Sequence, residues 1–439
     1  MTPLTRPRNR ARFAGTGNAS GTWLTTGPTL DLAFAGVPLD LDNPNGDSID
    51  LEFIPQNYQV ATQYSIWEPG MALVSKTFSQ IITFTRASSA TYFDATGTLQ
   101  TATTDVPRFD YNPSTLAPLG LLIEEARTNL LLYSTEFDNA WWTANGTTVV
   151  TPNAGVAPDG TTTAELVTDA TGNLTDSLQR STNIAISNAT AYTLTAYIKL
   201  GTATDVGIRV RCPGGSASNI GYFANGQDVG NGWRRVTANI TSDTTGALVY
   251  FGLADGTFYI WGAQLEAGAF PTSYIPTTSI AATRAVDEAS VNTLSPWYNA
   301  AASTIYAEAS VPQLGRAARL WAVDDGSINN MVDATFSVSN AFTLETVAGG
   351  AYGGGSTATG SITANTIQKT AAVFTTSGNE LACLNGGTVG SAALTLPSAS
   401  LTRLLLGRQQ SGVNICGWLR RLTYYPRALS SAELQAITT

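Results

Sequence analysis

Histidine is absent from all 439 residues, and this removes much of the catalytic repertoire. A Ser-His-Asp or Cys-His nucleophile needs an imidazole base, and a His-Glu-x-x-His helix needs two imidazole ligands for zinc. Cys212, Cys383 and Cys416 are too few and too scattered for a four-thiolate metal site or a disulfide framework. They read as small buried hydrophobes. Carboxylates remain. Adjacent pairs stand at Glu124-Glu125, Asp287-Glu288 and Asp324-Asp325. Glycosidic cleavage by two carboxylates needs them about 5–5.5 Å or about 6.5–9.5 Å apart across the sugar, whereas neighbours on a strand point to opposite faces. None of the three pairs is a catalytic dyad by itself, so the chain reads as a non-enzyme with no resident cofactor. The stretch Asp40-Leu41-Asp42-Asn43-Pro44-Asn45-Gly46-Asp47 imitates a calcium loop, but Pro44 takes a ligand position and no Glu closes it. It reads instead as a turn between two strands. Calcium held by Asp and backbone carbonyls in another loop stays open.

The elements that must carry these residues are β-strands. Charged residues make only 13% of the chain against about 25% in soluble domains. Thr, Ser, Ala and Gly dominate, with 41 glycines, a composition of short strands and many turns rather than helix bundles. Tyr192–Ile198 and Phe258–Glu266 alternate apolar and polar positions, so Tyr259, Trp261, Ala263 and Leu265 share one face. Trp233 and Trp261 read as buried, while Gln264 and Glu266 are free to face solvent, a partner chain or a ligand. The glycine-rich run Ala348–Gly355 lacks the Lys-Ser/Thr of a phosphate cradle and reads as a flexible surface loop. Ser430-Ser431-Ala432-Glu433 is a capping box opening a C-terminal helix.

Composition divides the chain into 1–75, 76–137, 138–280 and 281–439. The first zone carries Arg6, Arg8, Arg10 and Arg12 on a stretch that Pro3 and Pro7 keep extended. It reads as an attachment arm that the rest of the chain does not need for folding. The second is a small hairpin module, and the last two are strand-and-turn throughout. A net charge of −9 with three lysines in total argues against nucleic acid as the partner. No run approaches the roughly 20 apolar residues of a membrane span, and the N-terminus lacks the apolar core of a signal peptide.

The run Thr85-Arg86-Ala87-Ser88-Ser89-Ala90-Thr91-Tyr92, then Gly120-Leu121-Leu122-Ile123-Glu124 and Ala126-Arg127-Thr128-Asn129-Leu130-Leu131, resembles a module of bacteriophage tail-fibre and head-spike proteins. Ala157-Pro158-Asp159-Gly160, Gly232-Trp233-Arg234-Arg235, Trp261-Gly262-Ala263-Gln264-Leu265-Glu266 and Thr272-Ser273-Tyr274-Ile275-Pro276-Thr277 resemble the phage head-spike-fibre domain, which is similar to carbohydrate-binding β-sandwiches. The stretch Gly417–Ser430 resembles the closing strand and helix of concanavalin A-like (laminin-G-like) lectin folds. Together they cover most of residues 80–439.

The resemblance implies an all-β chain: an N-terminal attachment region, a hairpin module and two jelly-roll sandwiches. It implies a virion-surface spike or fibre of a phage or gene transfer agent, assembled in the bacterial cytoplasm. Such a protein would bind a host surface polysaccharide and contact capsid or tail proteins through its N-terminal region. Weak sugar sites repeated on one spike gain avidity, so a homo-oligomer, trimer or pentamer, is expected. A decoration protein that binds neighbouring virion chains and a depolymerising tailspike are the alternatives. Sugar binding asks for an exposed aromatic ring with planar polar groups nearby. The last zone offers Trp321 beside Asp324, Asp325, Asn329 and Asn330, then Tyr352, and Arg408 with Gln409 after a strand.

Overall fold

The computed structural model describes residues 30–33, 63–67, 73–169, 171, 176–252, 255–295, 297–398 and 400–439. Arg6, Arg8, Arg10, Arg12 and the Asp40–Asp47 turn lie outside them. The chain is all-β and builds two antiparallel sandwiches. In the first, a six-stranded sheet runs in the order Val149–Gly155, Ala164–Asp169, Gly256–Ala267, Ala191–Leu200, Trp233–Thr241, Gln227–Asp228. It faces a five-stranded sheet ordered Thr143–Ala144, Leu178–Ala185, Gly246–Gly252, Gly207–Arg211, Ser218–Tyr222. Alternation does the sorting: Leu194, Ala196 and Ile198 enter the core with Ile208, Val210, Val249 and Phe251.

The second sandwich packs a seven-stranded sheet on a ten-stranded one. The seven run in the order Ala351–Thr357, Phe342–Ala348, Met331–Phe336, Ala318–Asp324, Arg403–Leu406, Glu288–Val291, Thr83–Thr85. Gly417–Tyr425 and Ala302–Ser310 lie at the centre of the ten. The C-terminal helix Ser431–Thr438 begins at the expected capping box, with the Glu433 side chain reaching back to the Ser430 backbone. Its Leu434 packs on Tyr306, Ala371 and Val373.

Segment 76–137 does not close on itself. Thr83–Thr85 pairs with Glu288–Val291 in the seven-stranded sheet, and Pro118–Ile123 pairs with Gly417–Tyr425 in the other. Strands of 3 to 6 residues bury too little to stand alone and leave unpaired edges, so they complete a sheet formed elsewhere. The first sandwich is thereby inserted within the second. Its entry Arg127–Asn129 and exit Ala282–Arg284 form an antiparallel pair. The first 75 residues also contribute, because Leu30–Ala33 pairs with Gly417–Tyr425 and buries Leu32 in the core. The hairpin Ala90–Phe93 with Leu99–Ala102 covers the outer face of the six-stranded sheet. Trp233 and Trp261 are buried beneath it with Tyr197, Tyr274 and Leu99. All three cysteines are buried and unbridged.

Candidate functional site

Two polar constellations emerge, one sealed and one open. The sealed one joins Arg86 and Glu124, from the runs 85–92 and 120–124, to Arg108, Arg284 and Asp287. Arg108 donates from Nη2 to Asp287 Oδ2 at 2.5 Å and pairs through Nη1 with Glu124 Oε2 at 2.8 Å. Arg86 reaches Asp287 Oδ1 at 3.1 Å, and Arg284 reaches Glu124 Oε2 at 3.0 Å. Backbone N–H groups join in: Glu124 N donates to Asp287 at 2.9 Å and Ser273 N to Glu124 at 2.8 Å. These five charged side chains are at most 6% exposed. Burial alone would raise Glu124, but Arg284, Arg108 and Ser273 outweigh it and hold the carboxyl at about 2. Burial likewise opposes the Arg108 charge, which Asp287 and Glu124 more than restore. Arg86 is lowered, by burial first and then by Arg108.

This cluster ties the hairpin segment, the first sandwich and the second at one point. It is a joint, closed to any ligand. Gln264 and Glu266 belong to an adjoining buried network and are 0% exposed, which corrects their assignment to an outward face. Glu266 accepts from Thr272 N at 2.8 Å and Gln264 Nε2 at 2.7 Å, while Gln264 Oε1 accepts from Ile275 N at 2.7 Å. A register shift opposite Thr195–Tyr197, with Gly262 at φ +59°, breaks the alternation. Tyr259 and Trp261 lie on the outer face while Ala263 and Leu265 enter the sandwich core, so the four do not share one face as the sequence suggested.

The open constellation lies on the outer face of the seven-stranded sheet. Val332, Ala334 and Phe336 enter the core, so Asp333 points the other way. The same alternation turns Glu345 outward opposite it, since Leu344 is core and Asp333 pairs with Glu345 in register. Arg319 bridges both, at 2.5 Å to Asp333 Oδ1 and 2.8 Å to Glu345 Oε2. Asp333 Oδ2 and Arg319 Nε have no hydrogen-bond partner. Burial pushes Asp333 up to about 7, against the pull of Arg319 and with the help of Glu345. Beside this trio Tyr352 is 69% exposed. Its hydroxyl hangs over Gly355, where a Cβ would come within 2.0 Å of it. Partial burial and the charges of Glu345, Glu380 and Asp333 raise the phenol. Asp333 is itself 0% exposed and holds Arg319 from beneath. The open ring therefore stands beside the partly exposed Glu345 carboxylate and Arg319 guanidinium, which can hydrogen-bond the hydroxyls of a pyranose stacked on it.

The residues proposed from sequence separate into three groups. Tyr352, Asn329, Asn330 and Asp325 come together along one rim: Asn330 donates to Asp325 Oδ2 at 2.8 Å and accepts from Gly349 N at 2.9 Å, and the Asn329 carbonyl accepts from Gly350 N at 2.9 Å. The glycine run beside them is an ordered hairpin, not a flexible loop. Gly349 and Gly350 both take positive φ, as a two-residue type I′ turn requires, and Ala351–Thr357 pairs with Phe342–Ala348.

Trp321 and Asp324 are withdrawn from ligands. Trp321 is 0% exposed and packs 6.2 Å from Phe374. A bulge between Arg319 and Trp321 breaks the alternation and sends Leu320 and Trp321 both inward. Asp324 is buried beneath Arg403, whose Nε donates to it at 2.6 Å. Arg408 and Gln409 form the third group and stand apart from the rim. Arg408 pairs with Glu288, and Gln409 is 7% exposed with its amide on Ser411 at 2.6 Å. Sequence reading missed Arg319, Asp333 and Glu345. The available signal was an acid at an outward position in each of two adjacent alternating strands, M-V-D-A-T-F and F-T-L-E-T-V-A.

Among the described residues, no group of three or more His, Cys, Asp or Glu converges to hold a metal ion, and no helix is long and apolar enough to cross a membrane.

The architecture thus defines an all-β protein of two antiparallel sandwiches, one inserted in the other. The chain matches no described protein family and no curated protein. Among solved structures it is similar to the NanB sialidase of Streptococcus pneumoniae, with 14% identity, 32% of this chain, 24% of that chain and TM-score 0.28. The match therefore spans about a quarter of that enzyme. It is also similar to the CBM40 of the Ruminococcus gnavus IT-sialidase bound to α2,3 sialyllactose, with 15% identity, 32% and 84% coverage and TM-score 0.27. For mouse laminin α1 domains LG4-5 the values are 9% identity, 71% and 91% coverage and TM-score 0.26. Superpositions this loose carry no functional weight.

Proposed function

We propose that this chain is a glycan-binding surface protein, a spike or fibre of a phage-like particle, and that it binds rather than cleaves its sugar. The observation that carries the binding is Tyr352, an open aromatic ring set beside the Arg319–Asp333–Glu345 trio on the outer sheet face. Asp333 and Glu345 share one guanidinium, an arrangement that fixes a polar platform. The particle assignment is supported by the fibre-like motifs of residues 85–131, which here form the structural joint.

Glycan-array binding of the full-length chain tests the activity, with Tyr352→Ala and Glu345→Gln as the variants. Binding reduced at least tenfold by either substitution is expected. An array that stays blank for the wild type, or wild-type binding by both variants, would overturn it. Detection of the labelled chain on particle surfaces tests the location, and its absence from purified particles would remove the spike assignment.

A further inference from the structure

We propose that the five-stranded sheet of the first sandwich carries a second site, built by Arg209, Arg211, Tyr222 and Tyr250, for a carboxylated saccharide chain. Ile208 and Val210 are core residues, so Arg209 and Arg211 project from the outer face, about 7 Å apart along the strand. Register places Ile220 and Ser218 opposite them and Tyr222 opposite Gly207 on that same face. Gly221 turns the other way, against the Thr237 carbonyl. Tyr222 is 42% exposed.

Between the two arginines lies Tyr250, its ring 6.0 Å from the Arg209 guanidinium carbon and 5.7 Å from that of Arg211. Each guanidinium is anchored through Nε: Arg209 donates to Ser218 Oγ at 2.9 Å and Arg211 to the Tyr250 hydroxyl at 3.1 Å. This leaves the Nη ends, the fork that grips a carboxylate with two parallel hydrogen bonds. Neither arginine forms an ion pair with any described residue.

Two oriented, uncompensated guanidinia on a chain of net charge −9 call for an anionic occupant. The exposed Tyr222 ring adds an apolar surface for a pyranose. A duplex nucleic acid would need more phosphate contacts than two side chains supply. The site is separate from the Tyr352 face and stands or falls independently of it.

Titration calorimetry of the full-length chain tests this with three probes: an oligogalacturonate, a neutral dextran oligomer of equal length, and a DNA duplex. Arg209→Gln/Arg211→Gln and Tyr222→Ala are the variants, and Tyr352→Ala is the control. The oligogalacturonate should bind and weaken as salt rises. The double substitution should cost at least tenfold in affinity and Tyr222→Ala a smaller factor. Tyr352→Ala should leave this binding unchanged. Unaltered melting temperatures show that the variants remain folded. No binding of oligogalacturonate, equal affinity for the neutral oligomer, equal binding by the double variant, or preference for the duplex would each overturn the proposal.

Discussion

The outer faces of the two sandwiches use the same strand alternation and arrive at opposite electrostatics. On the second sandwich, the single guanidinium of Arg319 stands between the two carboxyls of Asp333 and Glu345, so its charge is already taken up. On the first, Arg209 and Arg211 are held by a hydroxyl each and keep their charge for something else. Backbone pairing accepts either outcome, since an outward position on a strand bears only weakly on packing. The ligand class of a face therefore rests on a few outward residues, while the joint between the sandwiches keeps both faces in place.

That division of labour can be broken most forcefully at the joint. Arg108→Ala leaves Asp287 and Glu124 buried with lost partners, which should destabilise the protein by about 3–5 kcal/mol. Urea unfolding measures this. A loss below about 1 kcal/mol would mean the joint is relaxed by water and does not lock the sandwiches.

Face substitutions should behave oppositely. Tyr352→Ala should change stability by no more than about 0.5 kcal/mol, as exposed positions do, and the half-buried Arg209→Gln/Arg211→Gln by less than Arg108→Ala at the joint, while each lowers binding at its own face alone. Crossed effects between the two faces, read by titration with the two ligands, would show them to be one coupled site.

Acid sharpens the contrast between joint and face. Glu124 is held at about 2 against an ordinary 4.5, so its contribution to stability is present above pH 4.5 and lost as pH falls towards 2. Asp333 is raised from 3.8 to about 7, so its contribution is fully present below pH 3.8 and lost as pH rises through 7. Asp333→Asn should accordingly lose less stability than the wild type between pH 4 and 8. Melting curves across that window check the sign, and parallel curves for the two proteins would contradict the assignment.

The smallest effect is expected at Gly355. A Cβ there meets the Tyr352 hydroxyl at 2.0 Å and, less tightly, the Leu344 carbonyl at 3.3 Å. Gly355→Ala should swing the ring aside, weakening glycan binding several-fold with little change in melting temperature.

Much of this molecule was legible before any tertiary information. Alternation in Tyr192–Ile198, the burial of Trp233 and Trp261, and the capping box at Ser430 each depend on a few consecutive residues. So do their physical causes, the period-2 pleat and a local hydrogen bond. The candidate site was legible only in part. Tyr352, Asn329 and Asn330, singled out from sequence, lie along one rim because the Gly349–Gly350 turn draws them together. Trp321 turns inward because a one-residue bulge reverses the side chains beyond it, which nothing in A-R-L-W-A-V-D announces, and Asp324 is covered by Arg403, a residue 79 positions away.

What the sequence determined by itself was the class of structure, some of its turns, such as Asp94–Gly97, and the histidine chemistry its composition excludes. The tertiary structure alone decided that Thr83–Thr85 and Pro118–Ile123 complete sheets begun some 200 to 300 residues later. It alone brought Glu124 and Asp287 onto one arginine. Strand pairing is a competition among edges with similar backbone hydrogen bonds. The winner is set by how much apolar surface the whole assembly buries, a quantity that no local stretch of residues contains.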